Sequence, residues 1–202
     1  MKKIIFLILV FFAWKHFYYV ADAPELGPGA VAGGYPYQNS TSTTSFRKGD
    51  YTYSPRASYE VEARVISASR YYFDQEARIS PIDLALGWGP MSDESILKDI
   101  DVWQEKRWYK WEADALPIPK YEVVNNSANV HIIPGNESIA EEVKKIRNGD
   151  IVQIKGYLVD VKKSTGWKWK TSMVRDDEGI GACEIIYVNS LTIVDPYERL
   201  YY

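Results

Sequence analysis

At 202 residues the chain has room for one domain of moderate size plus a tail, and its single cysteine, Cys183, excludes an intrachain disulfide and a multi-cysteine zinc site. A formal net charge of −3 gives no electrostatic basis for a polyanionic partner, so nucleic acid is not expected. Seven tryptophans and sixteen tyrosines favour a β-rich core, because aromatic side chains bury large areas and suit pleated surfaces.

Met1 to Ala23 reads as a targeting segment. Lys2 and Lys3 precede an unbroken apolar run from Ile4 to Trp14, shorter than the roughly 20 residues of a perpendicular spanning helix. Ala21-Asp22-Ala23 offers a signal-peptide cleavage site. The bulky stretch Lys15 to Tyr19 fits instead an uncleaved anchor reaching Val20, with Lys15 snorkelling and the aromatics at the interface; the anchor is the favoured reading. The remainder is then expected to be tethered to the bacterial inner membrane and to face the periplasm, or to be exported if cleavage follows Ala23.

Pro24 to Asp50 holds Gly27-Pro28-Gly29, Gly33-Gly34 and the polar run Asn39 to Ser45, a composition that predicts a flexible tether. The folded domain is expected over 51–194, with a surface tail over 195–202. Tyr59, Val61, Ala63 and Val65 alternate with polar residues as a half-buried strand does, and Arg70 to Arg78 reads as a second, less regular one. Ser80, Pro81 and Asp83 carry the spacing of a capping box, predicting a short helix that stops at Gly87. Ser92 reads as the cap of another helix through Ile100.

Val102 to Glu112 reads as one aromatic strand, Leu116 to Pro119 as a break, and Ala128 to Ile133 as a short strand. Ser138 to Arg147 is helical in pattern, with Ile139, Val143 and Ile146 on one face. From Asp150 to Lys162 a strand shows Val152, Ile154 and Leu158 on one face; beyond Gly156 the other parity, Tyr157, Val159 and Val161, becomes apolar, as at a bend. Ser164-Thr165-Gly166 marks a turn into a strand from Trp167 to Met173, and a glycine-containing loop leads to a last strand from Ala182 to Val188 and on towards Val194. The fold class expected is mainly β with two or three short helices, a small OB-like barrel or strongly twisted sheet behind an N-terminal membrane or signal helix.

Three segments, SPIDLALGWGPMSD (Ser80 to Asp93), SANVHIIP (Ser127 to Pro134) and Trp167 to Glu184 with GACE at its end, carry a resemblance over most of residues 59–194. The chain resembles a group of uncharacterised, N-terminally anchored bacterial envelope proteins. The resemblance implies an envelope location and supplies no catalytic residue.

Candidate chemistry is sparse. His131 is a general-base candidate for a hydrolase together with Asp83, Asp93 or the acids between Asp176 and Glu184, but a hydrogen-bonded structural role is commoner for a lone histidine. Asp176, Asp177, Glu178 and Glu184 have the oxygen donors that hard cations take, yet their spacing does not match an EF-hand. No metal or cofactor is therefore assigned, and Arg175 is expected to pair with one of these acids and fix the turn. Trp88, in a glycine-flanked segment, is either a ligand platform or a core plug, and it stands with Arg175, Asp176 and Asp177 as a binding candidate. Cys183 reads as a small buried hydrophobe rather than a thiolate nucleophile. Lys162, Lys163, Lys168 and Lys170 around Trp167 and Trp169 resemble a single-strand groove, but more simply solvate a hairpin face. The expected function is a membrane-tethered envelope binding or assembly module without catalytic activity, with a protein or envelope component as partner. The alternative is an envelope hydrolase built on His131, Asp83 and Glu184.

Overall fold

The computed structural model describes residues 4–8, 10, 23, 26–174 and 183–195. In chain order the strands are β1 (Tyr37–Asn39), β2 (Phe46–Lys48), β3 (Tyr51–Arg70), β4 (Ile82–Gly87), β5 (Asp101–Glu105), β6 (Trp108–Glu112), β7 (Ser127–Pro134), β8 (Ile151–Lys163), β9 (Lys168–Trp169) and β10 (Glu184–Val194). Short helices α1 (Glu94–Leu97), α2 (Lys120–Asn125) and α3 (Glu137–Val143) lie between them. The protein is mainly β, a twisted mixed sheet with short helices at its margins.

β3 is the longest element because its alternating apolar residues have neighbours along its whole length. It pairs antiparallel with β8 from Tyr51 to Arg64 and with β4 from Arg64 to Arg70. β4 pairs with β7, β7 runs parallel to β10, and β10 pairs antiparallel with β8, so the pairings return to β3. Register shifts between Pro55 and Ala57 and between Val65 and Ser67 let the strand bend; Pro55, which cannot donate a ladder hydrogen bond, sits at the first.

One face of this sheet buries the main core, including Val61, Leu84, Trp88, Ile132, Ile154 and Ile186. The other face carries a second, aromatic-rich cluster in which Tyr53, Ile133, Val159, Val161 and Ile185 pack with partners such as Phe46 and Tyr187. Burial pushes the Tyr53 phenol up to about 12, reinforced by Tyr187 and Tyr51. β8 serves both clusters, and the parity change expected at Gly156 is present: Val152, Ile154 and Leu158 face the main core, Val159 and Val161 the second. Gly156 is required for another reason as well, since a Cβ there would run into the Tyr187 carbonyl of β10. Gly156→Ala is expected to lower the thermal midpoint and broaden the transition by prising β10 from β8. An unchanged midpoint would show that β10 shifts without cost.

Several local expectations give way to tertiary pairing. Ser80 to Gly87 is not a helix: Ile82–Gly87 is a strand between β3 and β7 with all six residues buried. Two neighbouring ladders satisfy its backbone, which outweighs a capping signal worth about 1 kcal/mol. Ser92 does not cap a helix either. It is buried, and its hydroxyl accepts from Val31 and Ala32 and donates to Gly89 O; α1 starts one residue later, with Asp93 accepting from the Ser95 amide at 2.8 Å. Arg70 to Arg78 is no second strand, since β3 ends at Arg70 and Glu76–Arg78 is a single 3-10 turn.

Val102 to Glu112 is a hairpin, β5 and β6, broken at Lys106-Arg107. α3 begins after Asn136, whose side chain accepts from Ile139, and stops at Val143 instead of reaching Arg147. Of Trp167 to Met173 only Lys168–Trp169 is strand. Within residues 24–50, Tyr37–Asn39 and Phe46–Lys48 pair with β3, and Ala32 is buried where it accepts the Gly89 amide at 2.6 Å. The loop expected from Arg175 to Gly181, the tail over 196–202 and most of Met1 to Ala23 lie outside the described residues. No helix among the described residues is long and apolar enough to cross a membrane.

Candidate functional site

Alternation along β4 and β7 sends Ile82, Leu84, Leu86, Val130 and Ile132 into the main core. The intervening residues must therefore point to the opposite face. There Asp83 is paired in register with His131, and Ala85 with Asn129. A polar pair buried on a sheet face has to be satisfied by whatever covers it. Its cover is the tip of the β5–β6 hairpin, together with the loop over 71–81 and β9.

Arg107 fills the centre of this cover. Its Nε and Nη2 donate to the two carboxylate oxygens of Asp74 at 2.9 and 2.7 Å, and its Nη1 donates to Asp83 Oδ1 at 2.8 Å. Nη2 also donates to Ser80 O at 3.1 Å. The guanidinium lies 4.0 Å from the centre of the Tyr71 ring and 5.9 Å from that of Trp169, within cation–π range of both. Burial opposes the Arg107 charge, but the hydrogen bonds to Asp74 and the Asp83 charge outweigh it and hold the guanidinium above its ordinary value. Burial, with the Asp83 charge second, raises the Tyr71 phenol.

Asp83 is completely buried. His131 Nδ1 stands 2.8 Å from its Oδ1, an ion-pair distance without hydrogen-bond alignment, and the imidazole packs at 4.7 Å against Trp169. The second Asp83 oxygen, Oδ2, has no hydrogen-bond partner among the described residues. Asn129 extends the network: its amide donates to Arg107 O at 3.0 Å and to Cys183 Sγ at 3.4 Å, and its oxygen accepts from Gln104 at 2.6 Å. The cluster is thus a lock in which one guanidinium bridges two carboxylates and clamps a hairpin tip onto the β4–β7 face. A carboxylate that supports an imidazole base accepts its Nδ1–H, fixes the tautomer and stabilises the imidazolium that forms. Here that carboxylate is shared with a guanidinium.

The residues expected from sequence are brought together only in part. His131 and Asp83 meet. Glu184, also buried, is in register with Val130 and so takes the core-side parity, away from His131. Asp93 accepts from Gly29 at 2.9 Å, a hydrogen bond that lowers its pKa, and caps α1. Trp88 is 1% exposed and belongs to the main core. Arg175, Asp176 and Asp177 lie outside the described residues. Among the described residues no group of three or more His, Cys, Asp or Glu is placed to hold a metal ion. Arg107, Asp74, Tyr71 and Asn129 carried no signal in the sequence. Arg107 stood in the middle of what read as a strand.

The lock has a pH signature. Hydrogen bonds from Arg107 hold the Asp74 carboxyl below its ordinary value of 3.8. A carboxyl depressed in the folded state adds stability above its unfolded pKa and loses it as pH falls through the folded value. Between about pH 5 and pH 2 the wild-type midpoint is therefore expected to fall more steeply than that of Asp74→Asn. Parallel curves would remove Asp74 from the acid-sensitive groups. Compared with protein-family models, with curated proteins and with solved structures, the chain matches none, so the geometry of this cluster alone carries its interpretation.

Proposed function

We propose that the chain is a membrane-tethered envelope binding or assembly module built on a small OB-like barrel, without catalytic activity of its own. The barrel reading is supported by the circuit of pairings β3–β4–β7–β10–β8–β3, with its one parallel pair and with α3 between β7 and β8. In such barrels the outer surface of the second and third strands, flanked by the loops after the first and fourth, is where ligands bind. Here those strands are β4 and β7, and the flanking segments are the loop over 71–81 and the stretch after β8.

The observation that carries binding over catalysis is the double engagement of Asp83 by Arg107 and His131, which commits the carboxylate to holding the face closed. At the rim of that face Phe73 is fully exposed beside Tyr72, ring centres 6.2 Å apart, above an Asp74 clamped by Arg107. Exposed aromatics of this kind suit a protein or envelope component. The hydrolase reading keeps one specific support, the His131–Asp83 contact, and requires His131→Ala to abolish turnover without unfolding the chain.

The anchor reading requires the protein to sediment with membranes and retain Lys2; an N-terminus at Pro24 would establish a soluble exported form instead. For binding, a photo-crosslinking residue at Phe73 in the full chain in its native membranes is expected to give one discrete adduct. The same probe at exposed Tyr121 should not. No adduct at Phe73, or equal labelling at both positions, overturns the binding reading.

A further inference from the structure

The contacts of Arg107 have the composition of a recognition site. A planar cation lies between an aromatic ring and two carboxylates, one of them engaged bidentately, with a backbone carbonyl taking a further N–H. This donor and acceptor pattern suits a guanidinium and not an ammonium, whose three donors cannot form the planar fork. We infer that the outer face of β4 and β7 is a guanidinium-binding slot, filled in the resting chain by Arg107, and that the partner it takes is a protein segment presenting an arginine side chain. This deepens the binding reading and rests on it.

Two observations make the Arg107 seat replaceable. The first is the hairpin tip itself: Lys106 and Arg107 both adopt left-handed backbone, with φ of 51° and 67°, where asparagine and glycine are the residues that do so readily. The two-residue loop imposes this turn, but neither residue is of a type that adopts it readily, so the contacts of the arginine help to hold it. The second is Asp83. It is completely buried, yet Arg107 engages only Oδ1 and leaves Oδ2 without a hydrogen-bond partner among the described residues. The tip geometry gives Asp74 the fork and Asp83 a single N–H. A guanidinium arriving on an independent segment is free to set its fork on Asp83 and satisfy both oxygens.

The face behind the tip is already shaped for an occupant. Tyr71 and Trp169 wall the cation, and Asn129 holds the Arg107 carbonyl, a contact that any extended peptide backbone reproduces. An exchange would lift the tip of the β5–β6 hairpin, which forms its own two-stranded sheet with no ladder hydrogen bonds to the larger one among the described residues, while Val102 and Trp111 keep its base packed.

The test uses the full chain in detergent micelles. Arg107→Ala should bind methylguanidinium saturably at low millimolar concentration, read as a rise in thermal midpoint, and at least tenfold more tightly than methylammonium. Wild type, whose slot is filled, and Arg107→Ala combined with Asp83→Asn should show no such rise. Should Arg107→Ala fail to fold, Arg107→Lys keeps a cation in place, and its methylguanidinium response is read in the same way. In wild type, a blocked tripeptide with a central arginine should speed amide exchange across residues 103–109, while its lysine counterpart should not. Equal responses to the two small cations, or a response that survives Asp83→Asn, would overturn the slot. A selective slot with no faster exchange in wild type would overturn the arginine partner. The crosslinking outcome at Phe73 is independent of both.

Discussion

Trp88→Ala is expected to lower the unfolding free energy by about 3–5 kcal/mol, a large share of the stability of a domain this size. Trp88 is among the largest fully buried side chains and follows β4 directly, where its amide donates to Asn126 O at 2.9 Å. Its indole is part of the main core. The buried Nε1 has no hydrogen-bond partner among the described residues, so the side chain contributes volume and apolar area. Trp88→Phe, which keeps most of that volume and removes the unsatisfied N–H, is expected to cost clearly less. Urea unfolding of the three proteins gives the comparison. Equal midpoints for all three, with partner binding lost in Trp88→Ala, would make Trp88 a ligand platform and exclude the packing role.

Arg107→Met should cost about as much, roughly 3–5 kcal/mol, for an electrostatic reason. It leaves Asp83 fully buried with only His131 at ion-pair distance and frees Asp74 from its fork. The loss also removes what helps to hold Lys106 and Arg107 in left-handed backbone, so the β5–β6 hairpin should loosen with it. Combining Arg107→Met with Asp83→Asn is expected to cost less than the sum of the two single changes, because the second substitution removes the charge that the first strands. Strict additivity would mean that the pair does not interact and that Arg107 acts by packing alone.

Strands β7, β8 and β10 were legible in the chain itself, whereas β9 is far shorter than its alternation suggested. β7, β8 and the start of β10 coincide closely with the apolar runs of the sequence, and α3 carries Ile139 and Val143 on the face it buries. Those strands are readable as short apolar runs rich in β-branched residues and bounded by turn residues, and α3 by the one face it buries. Gly156 was legible for a related reason, the switch of apolar parity across it.

Local signals misread β4, since a capping pattern describes a segment in isolation and this one is flanked on one side by β3 and on the other by β7, which lies far along the chain. The stretch over 24–50, poor in apolar residues, still supplies β1 and β2, because the open edge of a twenty-residue strand accepts backbone partners whatever their side chains. The candidate site lay further beyond reach. His131 and Asp83 stood out singly, but Asp74, Asp83, Arg107 and His131 come from four separate segments. They meet only because β4 and β7 pair in one register and a hairpin with no turn residues folds back over them. Composition and alternation determined that this chain would build a β-rich core. Which polar side chains share a buried face was decided by long-range pairing, where the cost of leaving a charge unpaired in the interior selects a single arrangement.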